Sequence, residues 1–124
     1  MFTLTFKQQL LCQEESGQKG TAMITTEELE LTMIEIVALS GDARTKLLSA
    51  VKEAKSGDFD RAHALVAEAR GLLGDAHKSQ TDLLTAEARG ELTTPTVLLV
   101  HAQDHLMTSM LLRDVIDALI DIYR

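Results

Sequence analysis

The 124-residue sequence predicts an all-α fold, an antiparallel three-helix bundle running up, down and up. Three observations carry this prediction. Apolar residues recur at steps of three and four through three long segments, short Gly-, Asp- and Pro-containing breaks separate the segments, and no stretch alternates as a half-buried strand does. The length suits one compact domain with a single core. Hydrophobic residues make up 45% of the chain but aromatic residues only 3%, so Leu, Val, Ile, Met and Ala must fill that core.

Residues 1–22 read differently from the rest. Phe2, Phe6, Leu10, Leu11 and Cys12 precede a polar stretch, Gln13 to Gly20, and together they predict a flexible N-terminal extension to a domain at 23–124. A secretory signal is excluded, because Lys7, Gln8 and Gln9 interrupt any apolar region and Leu11 is a poor substitute for the small residue that cleavage needs. Met23 is a candidate for the biological start.

The first helix opens at Thr25-Thr26-Glu27-Glu28, a capping box with Thr25 three residues before Glu28. Its core positions are Leu29, Met33, Ile36, Ala43, Leu47, Ala50 and Ala54. Ser56-Gly57-Asp58 stops it and caps the second, where Phe59, Ala62, Val66, Ala69, Leu73, Ala76, Leu83 and Ala86 keep the period until Gly90. Thr94-Pro95 opens the third, with Pro95 at the first helical position, where its missing N–H has no partner to lose. Leu98, Ala102, Thr108, Leu112, Val115, Leu119 and Ile122 then form its core face to the terminus. Gly41, Gly71 and Gly74 lie within these helices without a turn cluster. Helices of roughly 30 residues would each be about 45 Å long. A second apolar stripe on the third helix, Val97, Val100, Leu111, Ala118 and Ile122, predicts burial against other copies of the chain, unless that helix is simply central.

Lys+Arg number 12 against Asp+Glu 19, a net charge of −7. Lys7 and Lys19 cancel Glu14 and Glu15, so all of it belongs to residues 23–124. This acid excess, without a basic or aromatic-rich stripe, excludes a nucleic-acid binder. The single Cys cannot form an internal disulfide, which fits a reducing, cytoplasmic location. No run approaches the roughly 20 apolar residues of a membrane helix.

Chemistry concentrates in His101-Ala-Gln-Asp-His105, placed about two turns into the third helix on its apolar side. At about 100° per residue, His105 falls some 40° to one side of His101 and Asp104 some 60° to the other. Polar groups on an apolar face must be hydrogen-bonded, paired or metal-bound. Four readings compete. A zinc hydrolase motif needs Glu directly after the first His, where Ala102 stands. A bundle metal site would use Glu-x-x-His, of which Asp60-Arg-Ala-His63 is a weak analogue. The other two are a pair of satisfied, partly buried histidines and a nucleophilic imidazole that accepts a phosphoryl group at neutral pH. The residues alone leave these last two level.

Several blocks in order resemble a known family: Glu35-Ile-Val-Ala-Leu-Ser-Gly-Asp-Ala-Arg-Thr-Lys-Leu-Leu48, Gly57-Asp-Phe59, Ala76-His-Lys-Ser-Gln-Thr81 and Val100-His-Ala-Gln-Asp-His-Leu-Met-Thr108. The sequence over about 23–124 resembles the enzyme IIA component of the lactose/cellobiose (chitobiose) branch of the bacterial phosphotransferase system. The resemblance implies a homotrimer of three-helix protomers with a divalent metal, magnesium foremost over manganese and calcium, on the threefold axis. It makes His101 the phosphorylation site, Asp104 the metal ligand, and Gln103 and His105 supports for the phosphate or the imidazole. HPr would donate the phosphoryl group and a Cys of the IIB component would receive it, while the membrane component IIC binds the sugar. His77 faces either the same cleft or solvent. Gly41 is expected to allow close helix approach, and Asp42 and Arg44 to form surface or interface pairs with no catalytic role. Arg113 is the nearest cation by sequence, so further positive charge is expected from a partner. A non-catalytic trimeric adaptor is the alternative.

Overall fold

The computed structural model describes residues 23–92 and 95–124, so the extension expected at 1–22 lies outside the described residues. Three helices make up the fold: α1 (Thr26–Lys55), α2 (Phe59–Ala88) and α3 (Val97–Asp121). Cross-helix contacts give the directions. Lys46 of α1 meets Glu68 of α2, and on the α2/α3 seam Gln80 meets Gln103 while Arg70 meets Asp117, so each later residue meets an earlier one. Both pairs are antiparallel, and α3 runs alongside α1. Among the described residues there is no strand, and no helix is long and apolar enough to cross a membrane.

Local chemistry sets the helix ends. The Thr25 hydroxyl accepts the Glu28 N–H at 3.2 Å while the Glu28 carboxylate accepts the Thr25 N–H at 2.9 Å, satisfying two donors that a helix start leaves free. At the other end the Gly57 N–H bonds the Ala54 carbonyl at 2.9 Å and the Asp58 N–H bonds that of Glu53 at 3.0 Å, a Schellman pair with Gly57 at φ 88°. Asp58 at once caps α2 through the Arg61 N–H at 3.0 Å. The same pairing recurs where α2 ends, from Gly90 to Glu87 and from Glu91 to Ala86, with Gly90 at φ 74°.

The core follows the sequence on α1 and α2. Every expected core residue there is buried except Leu29 and Phe59, which are partly so; Thr32, Ser40, Leu65 and Gln80 are buried in addition. The third helix departs from expectation in two ways. Its N-cap is Thr96, whose hydroxyl accepts the Leu99 N–H at 3.1 Å, so Pro95 precedes the helix and α3 has 25 residues. His101 therefore sits one turn from the start and not two. The buried stripe is Ala102, Leu106, Ser109, Ile116 and Ile120, whereas Thr108, Val115 and Ile122 are exposed. Because α3 is apolar on more than one side, periodicity alone did not distinguish which stripe turns inward. The second stripe, Val97, Val100, Leu111, Ala118 and Ile122, is exposed on the protomer as expected.

Polar ties between helices supplement the core. The buried Ser109 hydroxyl donates to the Ser40 carbonyl at 3.2 Å, and Lys46 bonds Glu68 at 2.8 Å on the surface. A Cβ at Gly41 would meet nothing within 4 Å, so close helix approach inside the protomer does not explain this glycine.

Glycine replacements should separate conformational need from mere tolerance. Gly57→Ala must force a side chain into the left-handed region and should lower unfolding free energy by about 1–2 kcal/mol. Gly74→Ala, in open space inside a helix, should raise it by roughly 0.5–1 kcal/mol, both read by urea denaturation. Lys46 also holds the Glu68 carboxyl below its ordinary 4.5. Above that value the pair stabilises the fold, and as pH falls through the lowered folded value the unfolded chain binds the proton more readily and the contribution is lost. Glu68→Gln should therefore make the fall in Tm on acidification slightly shallower, a small effect because the pair is exposed.

Candidate functional site

The inward stripe of α3 determines where each motif residue goes. Measured from the fully buried Ala102 at about 100° per residue, His101 lies about 100° and His105 about 60° round the helix on one flank. Gln103 lies about 100° round on the opposite flank, and Asp104 about 160° away, nearly opposite the core. The five residues thus serve three different sides of one helix.

On the first flank, His101 is exposed and His105 is half-buried behind it, the ring centroids 4.6 Å apart and the planes at 68°. The His105 Nδ1 is buried and has no hydrogen-bond partner among the described residues. Burial first, then the neighbouring His101 and the Arg44 guanidinium, hold the pKa of His105 below its ordinary 6.5 against an opposing pull from Asp104. His105 is therefore neutral at neutral pH. An exposed imidazole backed by a neutral one meets no adjacent charge from its support, an arrangement that suits a nucleophile.

Arg44 is the residue that sequence reasoning underrated here. Projecting from α1, its guanidinium donates to the Thr108 hydroxyl at 2.6 Å, and that hydroxyl donates to the Asp104 carbonyl at 2.6 Å. Thr108 is on the His101 flank, so a cation stands at the motif from a helix more than fifty positions earlier in the chain. Within the protomer Arg44 makes no surface ion pair among the described residues, and Arg113, the nearest cation by sequence, pairs with its neighbour Asp114 at 2.7 Å.

On the opposite flank the buried Gln80 of α2 directs its amide NH2 to the Gln103 carbonyl oxygen and to the Met107 sulfur, the latter at 3.7 Å. A thioether only accepts, so this end of Gln80 is the donor end. Gln103 is fixed against α2 and does not converge with His101 within the protomer. Gln80 was legible only as part of the block around His77, which itself is exposed on α2. His63 lies beside Arg124, 3.1 Å away at the far end of the bundle, so the Asp60-to-His63 segment is no part of this site.

Asp104 is exposed and joins no ion pair among the described residues. Val100 and Leu111 share its side of the helix. No three His, Cys, Asp or Glu side chains converge in a manner that could hold a metal among the described residues of one chain.

Comparison with known proteins gives these features a family. Residues 31–124 match the model of the PTS system lactose/cellobiose-specific IIA subunit. The PTS system lactose-specific EIIA component of Lactococcus lactis subsp. lactis is 52% identical over 98 residues, 79% of this chain and 93% of that protein. The cellobiose-specific enzyme IIA of Bacillus anthracis aligns with a TM-score of 0.74 at 38% identity, covering 84% of this chain and 94% of that one. The IIA(chitobiose) complexed with HPr from the N,N'-diacetylchitobiose branch of the Escherichia coli phosphotransferase system aligns with a TM-score of 0.68 at 42% identity, covering 77% and 93%. A family match over most of the three-helix domain, with an alignment that spans 93% of the Lactococcus relative, means that this chain belongs to the lactose/cellobiose-specific IIA family of the phosphotransferase system.

Proposed function

We propose that this chain carries phosphoryl groups during disaccharide uptake, taking them on His101 from HPr and passing them to a Cys of the IIB component, which serves the membrane component IIC. The observation that carries this reading is the exposed His101 ring set edge-on against a half-buried His105 at 4.6 Å. A cytoplasmic place follows from the same reading, since HPr and IIB must both reach the ring.

The transfer needs little covalent machinery. One His101 ring nitrogen offers its lone pair in line with the bond between phosphorus and its donor on HPr; that bond breaks as the phosphorus–nitrogen bond forms, and the other ring nitrogen keeps its proton. In the second step a thiolate of IIB attacks phosphorus, and the imidazole leaves neutral. Catalysis in such transfers is positioning plus stabilisation of the three equatorial oxygens. His105 holds the ring without adding charge. The net charge of −7 favours transient docking of partners more basic than this chain.

The same reading includes a homotrimer, built on the exposed apolar side of α3. Three copies of that side would bring together three Asp104 carboxylates, which repel unless a divalent cation joins them. Hard oxygen donors suit magnesium, and the ion would offset most of the carboxylate charge at the assembly's axis. Trimerisation would also give Gln103 a task at the phosphate: since it faces away from His101 in its own chain, it would act across the interface.

Incubation with phosphoenolpyruvate, the general enzyme I and HPr, followed by mass spectrometry at alkaline pH, should place one phosphate on His101. His101→Ala should remain trimeric and accept none; an unmodified wild type beside phosphorylated HPr would leave a non-catalytic adaptor. Asp104→Leu should assemble with the mass of a trimer by light scattering while losing bound metal by elemental analysis. Loss of the trimer in that variant would overturn the role given to the carboxylate.

A further inference from the structure

Arg44 has an unusual partner for an arginine in an acidic chain. Arg61, Arg70, Arg113 and Arg124 each find a carboxylate within 4 Å, at Glu68, Asp117, Asp114 and Asp121, while Arg89, exposed at the end of α2, joins no ion pair among the described residues. Arg44, half-buried on α1, instead donates to a neutral hydroxyl, that of Thr108, at 2.6 Å. Its place matters as much as its partner. Thr108 follows His101 by seven residues and His105 by three, so all three lie on the same flank of α3, within about two turns. The long, flexible arginine stem hinges on α1, across the groove from that flank.

We propose that Arg44 is the phosphoryl-binding cation of this chain, resting on Thr108 while His101 is free and turning along the flank to the phosphoryl oxygens once His101 carries them. This rests on the carrier reading of His101. The chemistry favours the exchange: a guanidinium forks two N–H donors onto two oxygens of a dianion, a stronger pairing than one bond to a hydroxyl. No carboxylate has to be displaced. The neutral hydroxyl holds the guanidinium in reserve at little cost, and the flank stays open for a partner's docking.

The test uses the full chain and HPr. The equilibrium of phosphoryl groups between HPr and this chain is measured for the wild type, Arg44→Ala, Arg44→Lys and Thr108→Val, with the midpoint of the phosphohistidine 31P pH titration. Arg44→Ala should shift the equilibrium toward phosphorylated HPr by roughly tenfold, the size expected for one charge-assisted hydrogen bond, and should raise the 31P midpoint. Arg44→Lys should fall between, keeping the charge without the fork. Thr108→Val should leave the 31P midpoint at the wild-type value and shift the equilibrium, if at all, toward this chain, because only the resting contact that competes for Arg44 is lost. If Thr108→Val reproduces Arg44→Ala, or if Arg44→Ala changes neither reading, Arg44 is only a tie between α1 and α3 and the proposal fails. A wild type that accepts no phosphate on His101 would instead overturn the carrier reading itself.

Discussion

The rotation of α3 about its own axis is the constraint from which the site follows. Leu106, Ile116 and Ile120 are fully buried, each contributing about 1.5–3 kcal/mol, and the buried Ser109 hydroxyl is satisfied at the Ser40 carbonyl. One residue of rotation is about 100°, enough to carry His101 into the core or to turn Asp104 toward α1. The packing of residues that take no part in the chemistry therefore decides which motif residues meet solvent. His101 and His105 fall on the α1 side, Gln103 on the α2 side, and Asp104 points away from both.

Electrostatics then refine what the rotation provides. In a chain of net charge −7, an imidazole near carboxylates would ordinarily be drawn toward its protonated form. Burial of His105, the nearness of His101 and the Arg44 guanidinium pull the other way, and they prevail over Asp104. Arg44 arrives from a different helix and is held by a hydroxyl, so its charge is kept near the histidines without being spent on a salt bridge. Gln80 plays the corresponding part on the far flank, where a buried amide would be costly without the Gln103 oxygen that accepts from it. One polar residue on each neighbouring helix thus anchors one side of the motif.

Much of the fold was legible because it depends on short-range signals. Thr25 and Glu28, Gly57 and Asp58, and Gly90 each specify a helix end by hydrogen bonds spanning a few residues, and the core faces of α1 and α2 are single apolar stripes flanked by polar ones. At α3 those signals became ambiguous. Threonine, a residue type suited to capping, stands on both sides of one proline in the sequence, and nothing local favours Thr96 until its hydroxyl is seen to accept the Leu99 N–H. An apolar helix with several candidate stripes leaves its phase to tertiary packing, and the inward choice lies about 100° from the one periodicity suggested. The candidate motif residues stand out in the sequence by their types and by the resemblance. The supports do not, because Arg44 and Gln80 reach the site only through the crossing of helices, and no spacing within the sequence encodes that meeting.

The separation of His101 from Gln103 has a consequence for how such a site can be complete. Two residues apart on a helix, they point about 160° away from each other, and no side-chain rotation in one chain brings a Gln103 amide to a group on His101. A lone protomer therefore offers an exposed imidazole, a half-buried one behind it and one cation, all on a single flank. If the Gln103 amide serves the phosphoryl group, it serves that of a neighbour, and the exposed apolar side carrying Val100, Asp104 and Leu111 lies between the two flanks, where a neighbour would pack. Assembly and chemistry would then depend on the same rotation of α3: the phase that buries Leu106 turns the apolar side outward and presents His101 and Gln103 to opposite neighbours.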